Sequence, residues 1–368
     1  MRYYSGAEAR LRRAIETTLI SIFDGWSYEE ITTPTVDYYS LFERGMGRSQ
    51  AHHAFRFSDT DGRMLAIRPD VTALVARAAA TLFAERERPL RLCYVAPVFR
   101  RQPQSHAEWK RELMQIGAEL IGADGGMADL EILAIACEAL EWLELDRSSV
   151  ITLNDVEIFN GLVEQLELSA ELLDEMRALV DTRNADDLER FLAGCGCGAD
   201  APAFAQLVQL SGKPEILVAA RRLMTNRRSQ AALDRLERLW SVIESLGLAD
   251  RFEIDLGDVS RLDYYTGLTF KIYVQGAGTR VGSGGRYDRL TESFGRAEPA
   301  VGFVLDLDAL TDVLMRRTDG GSTSPVSIEA SRLAGKTPGE LFVTARKKRA
   351  LGERVILMTG EMTDEVMQ

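Results

Sequence analysis

"ELMQIGAELIG", residues 112–122, is the stretch on which the fold turns. Gln115, Gly117 and Glu119 alternate with Met114, Ile116 and Ala118, which is the period of a β-strand. Side chains two apart point the same way, so the amide and the carboxylate share a face, about 13 Å apart along the strand. Gly117 between them leaves room over the sheet. A small zwitterion with a polar side chain fits that gap, although pattern alone also allows a solvated sheet face. A second apolar run, "RLCYVAPVFR" at 91–100, precedes it across the polar stretch "RQPQSHAEWKR" at 101–111. The two runs read as a long hairpin whose loop is too long for a tight turn. Arg100, at the end of the first strand, offers a bidentate clamp for a carboxylate.

Outward from this hairpin, helices and strands sort into blocks. Leu11, Ile15, Leu19 and Ile22 form one stripe over residues 7–25, predicting an amphipathic helix. "EEITTPTVDYY" at 29–39 predicts a strand at an edge, because Pro34 donates no ladder hydrogen bond. "RMLAIRPD" at 63–70 predicts a short strand, followed by a helix over 71–85. "ADLEILAIACEALEWL" at 128–143 predicts a helix with a buried face. Residues 161–248 read as almost wholly helical, with Leu233, Leu236, Trp240, Ile243 and Leu246 on one stripe. Strand character returns in "FEIDLGDVS" at 252–260, "LTFKIYVQG" at 268–276 and "TRVGSGGRYD" at 279–288. The expected class is α+β: one antiparallel-sheet domain over 1–315, interrupted by a helical insertion at 161–248. "RTDGGSTSPVS" at 317–327 has linker composition, and 316–368 reads as a linker and a tail of unassigned role.

Composition narrows the function classes. A net charge of -12 disfavours nonspecific nucleic-acid binding, which needs a basic face. "MRYYSGAEARLRR" has no apolar run behind it, so no secretory signal is expected. No stretch reaches 18 uninterrupted apolar residues, so no membrane span is expected. Four cysteines in 368 residues are not a disulfide framework. Cys93 and Cys137 read as core, and Cys195 and Cys197 as a small-residue loop. With His52, His53 and His106 as the histidines, no metal is expected. No cofactor is expected, and the location predicted is the cytoplasm.

Four further stretches carry polar groups suited to a ligand. In "RLDYYTG" (261–267), Tyr264 and Tyr265 are expected on opposite faces of a strand, one structural and one turned to a ligand. "GSGGRYD" (282–288) places three glycines before Arg286 and Tyr287, a bulge or turn in the bland reading. In "RPDVT" (68–72), Asp70 and Thr72 form an acceptor pair for an ammonium group, or else a helix cap. "AVGFVLDLDAL" (300–310) reads as the start of a helix that Gly302 lets in tightly. Its first turn carries Asp306 and Asp308, with no cation beside them to hold a phosphate.

In order, "IRPDVTALVAR", "YVAPVFRRQPQ", "RELMQIGAELIG", "LDYYTGLTF", "GGRYDRL" and "AVGFVLDLDAL" resemble the successive motifs of the histidyl-tRNA synthetase catalytic domain. "YEEITTPTVDYYSLFERGMG" resembles its first motif, which builds a dimer interface. The resemblance spans roughly residues 1–160 and 250–315 and implies the class II aminoacyl-tRNA synthetase fold, an antiparallel sheet flanked by helices. It implies a histidine pocket. Asp70, Thr72 and Gln115 would hold the α-amino group, and Arg100 would face the carboxylate. Glu119 and Tyr265 would take the two imidazole nitrogens, and Tyr287 would close the pocket. Asp70 stands where the family usually has Glu.

The nucleotide half departs from the family. Its third motif reads Gly-Phe-x-x-Gly-Leu-Glu-Arg, and the Arg binds the ATP triphosphate. Here Ala309 stands at the Arg and Asp306 at the second Gly. An anion facing a polyphosphate at a few Å costs on the order of several kcal/mol. Gln102 replaces the Glu expected in the second motif. Ser260 stands where an Arg is expected three residues before Asp263, with Arg261 out of register. Fewer than sixty residues follow Leu310, too few for the family's anticodon domain.

One branch of the family, the regulatory subunits of ATP phosphoribosyltransferase, has this pattern. The resemblance to it implies a non-catalytic subunit that pairs with the short catalytic subunit and senses L-histidine in the first step of histidine biosynthesis. It also implies a homodimer, and a hetero-oligomer with the partner, of which a hetero-octamer is one form. The alternative is a free-standing histidine-activating enzyme, which needs a triphosphate clamp. A nucleic-acid-binding synthetase mimic would need a basic surface.

Overall fold

The computed structural model describes residues 3–101, 111–166, 168–259, 264–320, 331–333, 338–353 and 355–357. The chain divides into two compact units, residues 1–314 and 315–368. The polar loop of the long hairpin, with Gln102 and His106, and the segment with Ser260, Arg261 and Asp263 lie outside the described residues.

The first unit opens with α1 (Gly6–Gly25), which buries Ile15, Leu19, Ile22 and Phe23. Then follow β1 (Glu29–Glu30), β2 (Val36–Tyr38), α2 (Tyr39–Met46), α3 (Arg48–Ala51), β3 (Phe55–Ser58) and β4 (Met64–Ile67). After α4 (Thr72–Ala80) come the long strands β5 (Leu90–Phe99) and β6 (Glu112–Ile121), helix α5 (Gly126–Trp142) and strand β7 (Ser149–Asp155). The helical block holds α6 (Val156–Val163), α7 (Ala170–Asp181), α8 (Ala185–Gly194), α9 (Ala201–Leu207), α10 (Ile216–Leu223) and α11 (Arg227–Ser245). A two-residue strand β8 (Ser211–Gly212) interrupts it. Strands β9 (Phe252–Asp255), β10 (Leu268–Val274), β11 (Arg280–Arg286) and β12 (Ala300–Asp306) then lead into α12 (Leu307–Gly320). In the second unit, β13 (Ser331–Leu333) pairs in parallel with β14 (Val355–Leu357), and α13 (Pro338–Ala350) stands between them in sequence.

The central sheet has nine strands in the order β1-β5-β6-β12-β11-β10-β7-β9-β8. Its middle is antiparallel, as the sequence predicts, but β1 with β5 and β7 with β9 are parallel pairs. One face carries Ile116, Ala118, Phe270, Phe303 and Leu305 and packs in a single core with α1, α5 and the helical block. The other carries Leu92, Tyr94, Ala96 and Tyr287 and packs against α4 through Val71, Val75 and Ala79. Period-two strands buried on both faces explain why this sheet reads as dense apolar runs.

Three expectations are corrected. "EEITTPTVDYY" is two strands in two sheets: β1 edges the large sheet, whereas β2 joins the three-stranded sheet β2-β4-β3. Pro34 divides them, having no N–H for a ladder. Residues 300–306 are a strand and the helix starts only at Leu307, so Gly302 lies mid-strand rather than at a helix entry. Leu246 falls off the buried stripe of α11, at 59% exposure, because it lies at the helix's C-cap.

Candidate functional site

The register of three strands decides the site. β6 pairs with β12 so that Glu119 faces Gly302, Gly117 faces Val304 and Gln115 faces Asp306. On the other side β5 places Tyr94 opposite Gly117 and Ala96 opposite Gln115. The face away from the main core therefore holds Glu119, Gln115, Tyr94 and Asp306. Tyr287 follows β11, and Asp70 and Thr72 sit where the chain turns from β4 into α4. All seven residues expected at the site line one cavity: Asp70, Thr72, Arg100, Gln115, Glu119, Tyr265 and Tyr287.

Glu119 lies at the floor, 1% exposed. Thr72 Oγ1 donates to its Oε1 at 2.8 Å and Tyr94 OH to the same oxygen at 3.2 Å, while Tyr287 OH donates to Oε2. Three hydroxyls thus satisfy a carboxylate cut off from water, as a buried charge requires. Burial still pushes its pKa up to about 7, with the Asp70 charge adding to the rise and the Tyr287, Thr72 and Tyr94 hydroxyls opposing it. Gly302 makes room for this group. A Cβ there would stand 1.8 Å from Glu119 Oε2.

Gly117 makes room too, but for the protein itself. A Cβ there would meet the Tyr94 ring and hydroxyl at 2.7 Å, so Tyr94 crosses the gap that the sequence left for a ligand. The helix-cap reading of "RPDVT" is also correct in part. Asp70 Oδ1 accepts the Ala73 N–H at 3.0 Å, while the same side chain reaches the cavity. Burial raises the Asp70 pKa, opposed by the Ala73 N–H and by the charge of Arg100. Arg100 donates its Nε to the Pro69 carbonyl at 3.3 Å.

The two tyrosines do not face opposite ways. Tyr264 and Tyr265 precede β10 in irregular backbone, both line the cavity, and their ring centroids are 4.9 Å apart. Strand alternation does not apply where there is no strand. The glycines of "GSGGRYD" lie within β11, not in a turn. Gly284 admits Phe270 and Phe303, which a Cβ would approach to about 2.6 Å or less. Arg286 holds this strand from the other face through Asp129 of α5 at 2.7 Å and Asp288 at 3.0 Å.

The far end of the cavity is where the helix α12 begins. Asp306 lines it and closes that helix. Its Oδ1 accepts the N–H groups of Asp308 and Ala309, both at 2.9 Å. Asp308 turns away to an ion pair with Arg12 of α1 at 2.5 Å and also takes the Met114 N–H at 3.2 Å. Ala309 is 8% exposed and packs in the main core. Sequence reasoning missed Tyr94, Ser283 and Arg280 among the lining residues. Strand alternation in "RLCYVAPVFR" could have flagged Tyr94 once the register was known; nothing in the pattern pointed to Arg280.

A sheet of this order, carrying a polar amino-acid-sized cavity beside the start of its last helix, is the class II synthetase architecture. The chain belongs to the histidyl-tRNA synthetase family, whose model matches residues 1–310. Its relatives place it with the ATP phosphoribosyltransferase regulatory subunits of that family. It is 36% identical to the one from Moorella thermoacetica over 353 residues, covering 95% of this chain and 88% of the relative. It is 34% identical to the one from Syntrophotalea carbinolica, covering 85% and 73%. The crystal structure of an ATP phosphoribosyltransferase regulatory subunit/histidyl-tRNA synthetase from Bacillus halodurans C superposes with a TM-score of 0.82 at 28% identity, covering 100% of this chain and 94% of that one. The histidyl-tRNA synthetase from Nostoc sp. PCC 7120 shares the fold, with a TM-score of 0.75 at 19% identity, over 100% of this chain and 88% of that one.

Proposed function

We propose that this chain is the non-catalytic subunit that makes a short ATP phosphoribosyltransferase catalytic subunit active and responsive to histidine, and that free L-histidine binds in the cavity over β6. One observation carries the non-catalytic half of this reading. The Asp306 carboxylate occupies the start of α12, where a polyphosphate would have to lie, and an alanine follows where a cation would be needed. An anion at a helix N-terminus satisfies the free N–H groups and the positive end of the helix dipole. Asp306 therefore takes the place of a phosphate instead of inviting one.

The amino-acid half supports the sensor. Glu119 can accept an imidazole N–H, Tyr265 stands beside it, and Asp70 with Gln115 offers acceptors to the ammonium group. A site that hydrogen-bonds a ring N–H rejects analogues lacking it, since a buried group is then unpaired. Histidine inhibits only if it binds two conformations of the complex unequally.

A homodimer is part of the same reading. In the three-stranded sheet, Val36, Tyr38, Leu65, Ile67, Phe55 and Phe57 share the face opposite to buried Ala66. Val36, Tyr38 and Phe57 are each more than 40% exposed, an apolar sheet face that a second copy would cover. Among the described residues no helix is long and apolar enough to cross a membrane, in keeping with the cytoplasmic location we propose.

The deciding experiment is reconstitution. The short catalytic subunit alone should be nearly inactive, active with this chain, and inhibited by histidine in the complex. Histidine-dependent ATP–pyrophosphate exchange by the pure chain would instead make it a histidine-activating enzyme.

A further inference from the structure

Neither the resemblance nor the spacing gives Tyr94 a role, yet it completes the floor of the cavity. It stands on β5 opposite Gly117 of β6, which shares a face with Glu119. Its side chain is 1% exposed and crosses Gly117 so closely that no Cβ could stand between them. The glycine thus lets a phenol pass over the strand and bring its hydroxyl to the Glu119 carboxylate, 3.2 Å from Oε1.

The acceptor positions of that carboxylate can be counted. Its two oxygens offer about four. Among the described residues, Thr72 Oγ1 and Tyr94 OH both donate to Oε1, and Tyr287 OH donates to Oε2. Oε1 is then saturated, and Oε2 keeps one position. Oε2 is also the oxygen that a side chain at position 302 would cover. One N–H can be accepted there, which is what one ring nitrogen of an imidazole offers. A protonated Glu119 would carry its hydrogen on that same oxygen and turn O–H against N–H. Burial pushes towards that protonated form, and the three hydroxyls oppose it. The other titratable groups around Glu119 are Asp70 before α4, Tyr28 before β1, Tyr264 and Tyr265 before β10, and Tyr287 after β11. Burial raises the hydroxyl pKa of all these tyrosines and of Tyr94, so none ionises near neutral pH. Asp70 titrates against partners of its own, the Ala73 N–H and the charge of Arg100.

We propose that Tyr94 is a positioning residue that sets the specificity of the sensor: its hydroxyl holds the Glu119 carboxylate as an acceptor with a single remaining position, so that the pocket reads a ring bearing an N–H. The inference rests on the histidine-sensing reading above. It adds to that reading a residue that need not touch the ligand and acts through the group that does.

Calorimetry of the full-length chain with L-histidine, from about pH 6 to about pH 8.5, tests it on Tyr94→Phe. The variant keeps the ring over Gly117 and loses one hydrogen bond, a small part of the stability of a chain this size; a cooperative thermal melt verifies the fold. Histidine affinity at neutral pH should fall about three- to tenfold, the range for one hydrogen bond. With one donor fewer, Glu119 of the unliganded variant takes up its proton at higher pH. The loss should therefore be greatest at the acid end and shrink towards the alkaline end, where the carboxylate is ionised in both proteins. Unchanged affinity at every pH would show that the phenol only packs over Gly117, and would overturn the proposal. An equal loss at every pH, as a packing defect gives, would overturn it too. A wild type that binds no histidine overturns the sensor reading instead.

Discussion

The carboxylate of Asp306 caps the helix that carries Ala309, accepting the Ala309 N–H at 2.9 Å. Anion and helix start are thus already paired, and the pair should contribute to stability. Asp306→Ala should cost about 1 kcal/mol, the usual worth of an N-cap side chain, or about 2 °C in a unit of this size. Differential scanning calorimetry reads that shift. Neither the wild type nor this variant should show histidine-dependent pyrophosphate exchange above background, since removing the anion does not return the cation.

Glu119 should make stability depend on pH in the direction opposite to a surface carboxylate. Its folded pKa is raised from 4.5 to about 7 by burial. Between those values the folded chain holds a proton that the unfolded chain has released. Stability is then greatest below the unfolded pKa and falls as pH rises through the folded one. Chemical denaturation from pH 4.5 to 8 should show a loss of a few kcal/mol at most, on the order of one per pH unit. Glu119→Gln should flatten that component; an unchanged slope would show that the proton is held elsewhere.

Gly302→Ala should damage the pocket without replacing any of its polar side chains. The new methyl would fall 1.8 Å from Glu119 Oε2 and 2.7 Å from the Ala118 carbonyl. The carboxylate must leave its three hydroxyl donors, or the strands must part. Histidine affinity should fall about ten- to a hundredfold, as for Glu119→Ala, which removes the imidazole acceptor outright. Both complexes with the catalytic subunit should lose inhibition by histidine. Full inhibition in either variant would place the ligand away from β6.

The exposed sheet face predicts self-association. Wild type should sediment as a dimer or larger species at micromolar concentration. Tyr38→Glu combined with Phe57→Glu puts two charges on that face and should shift the chain towards monomer, with the core around Ala66 intact by circular dichroism. A double variant that still sediments as a dimer would move the interface elsewhere.

Much of this site is legible in the sequence because strand alternation is a local rule. Gln115 and Glu119 share a face by their spacing alone, and the tertiary structure keeps them there. The stripe of α1 is likewise local, since Ile15, Leu19 and Ile22 are buried as their spacing requires. The resemblance also brought Asp70, Thr72, Tyr265 and Tyr287 to one cavity in expectation, and they line one cavity in the fold.

What the sequence determined by itself is therefore the alternation of polar and apolar faces, the order of strands and helices, and the exchange of Arg and Gly for Ala309 and Asp306. The tertiary structure alone decided three other things. It set Gly302 against Glu119, turned Tyr94 over Gly117, and carried Arg280 to the end of the cavity beside Asp306. Each depends on which residue of one strand lies opposite which residue of another, across 23 positions of chain for Tyr94 and Gly117 and 183 for Gly302 and Glu119. That register is set by the packing of both sheet faces at once, and slipping it by one residue would turn every side chain to the opposite side. No local pattern contains that information, because the side chains that choose the register are distant in sequence and meet only when the core closes.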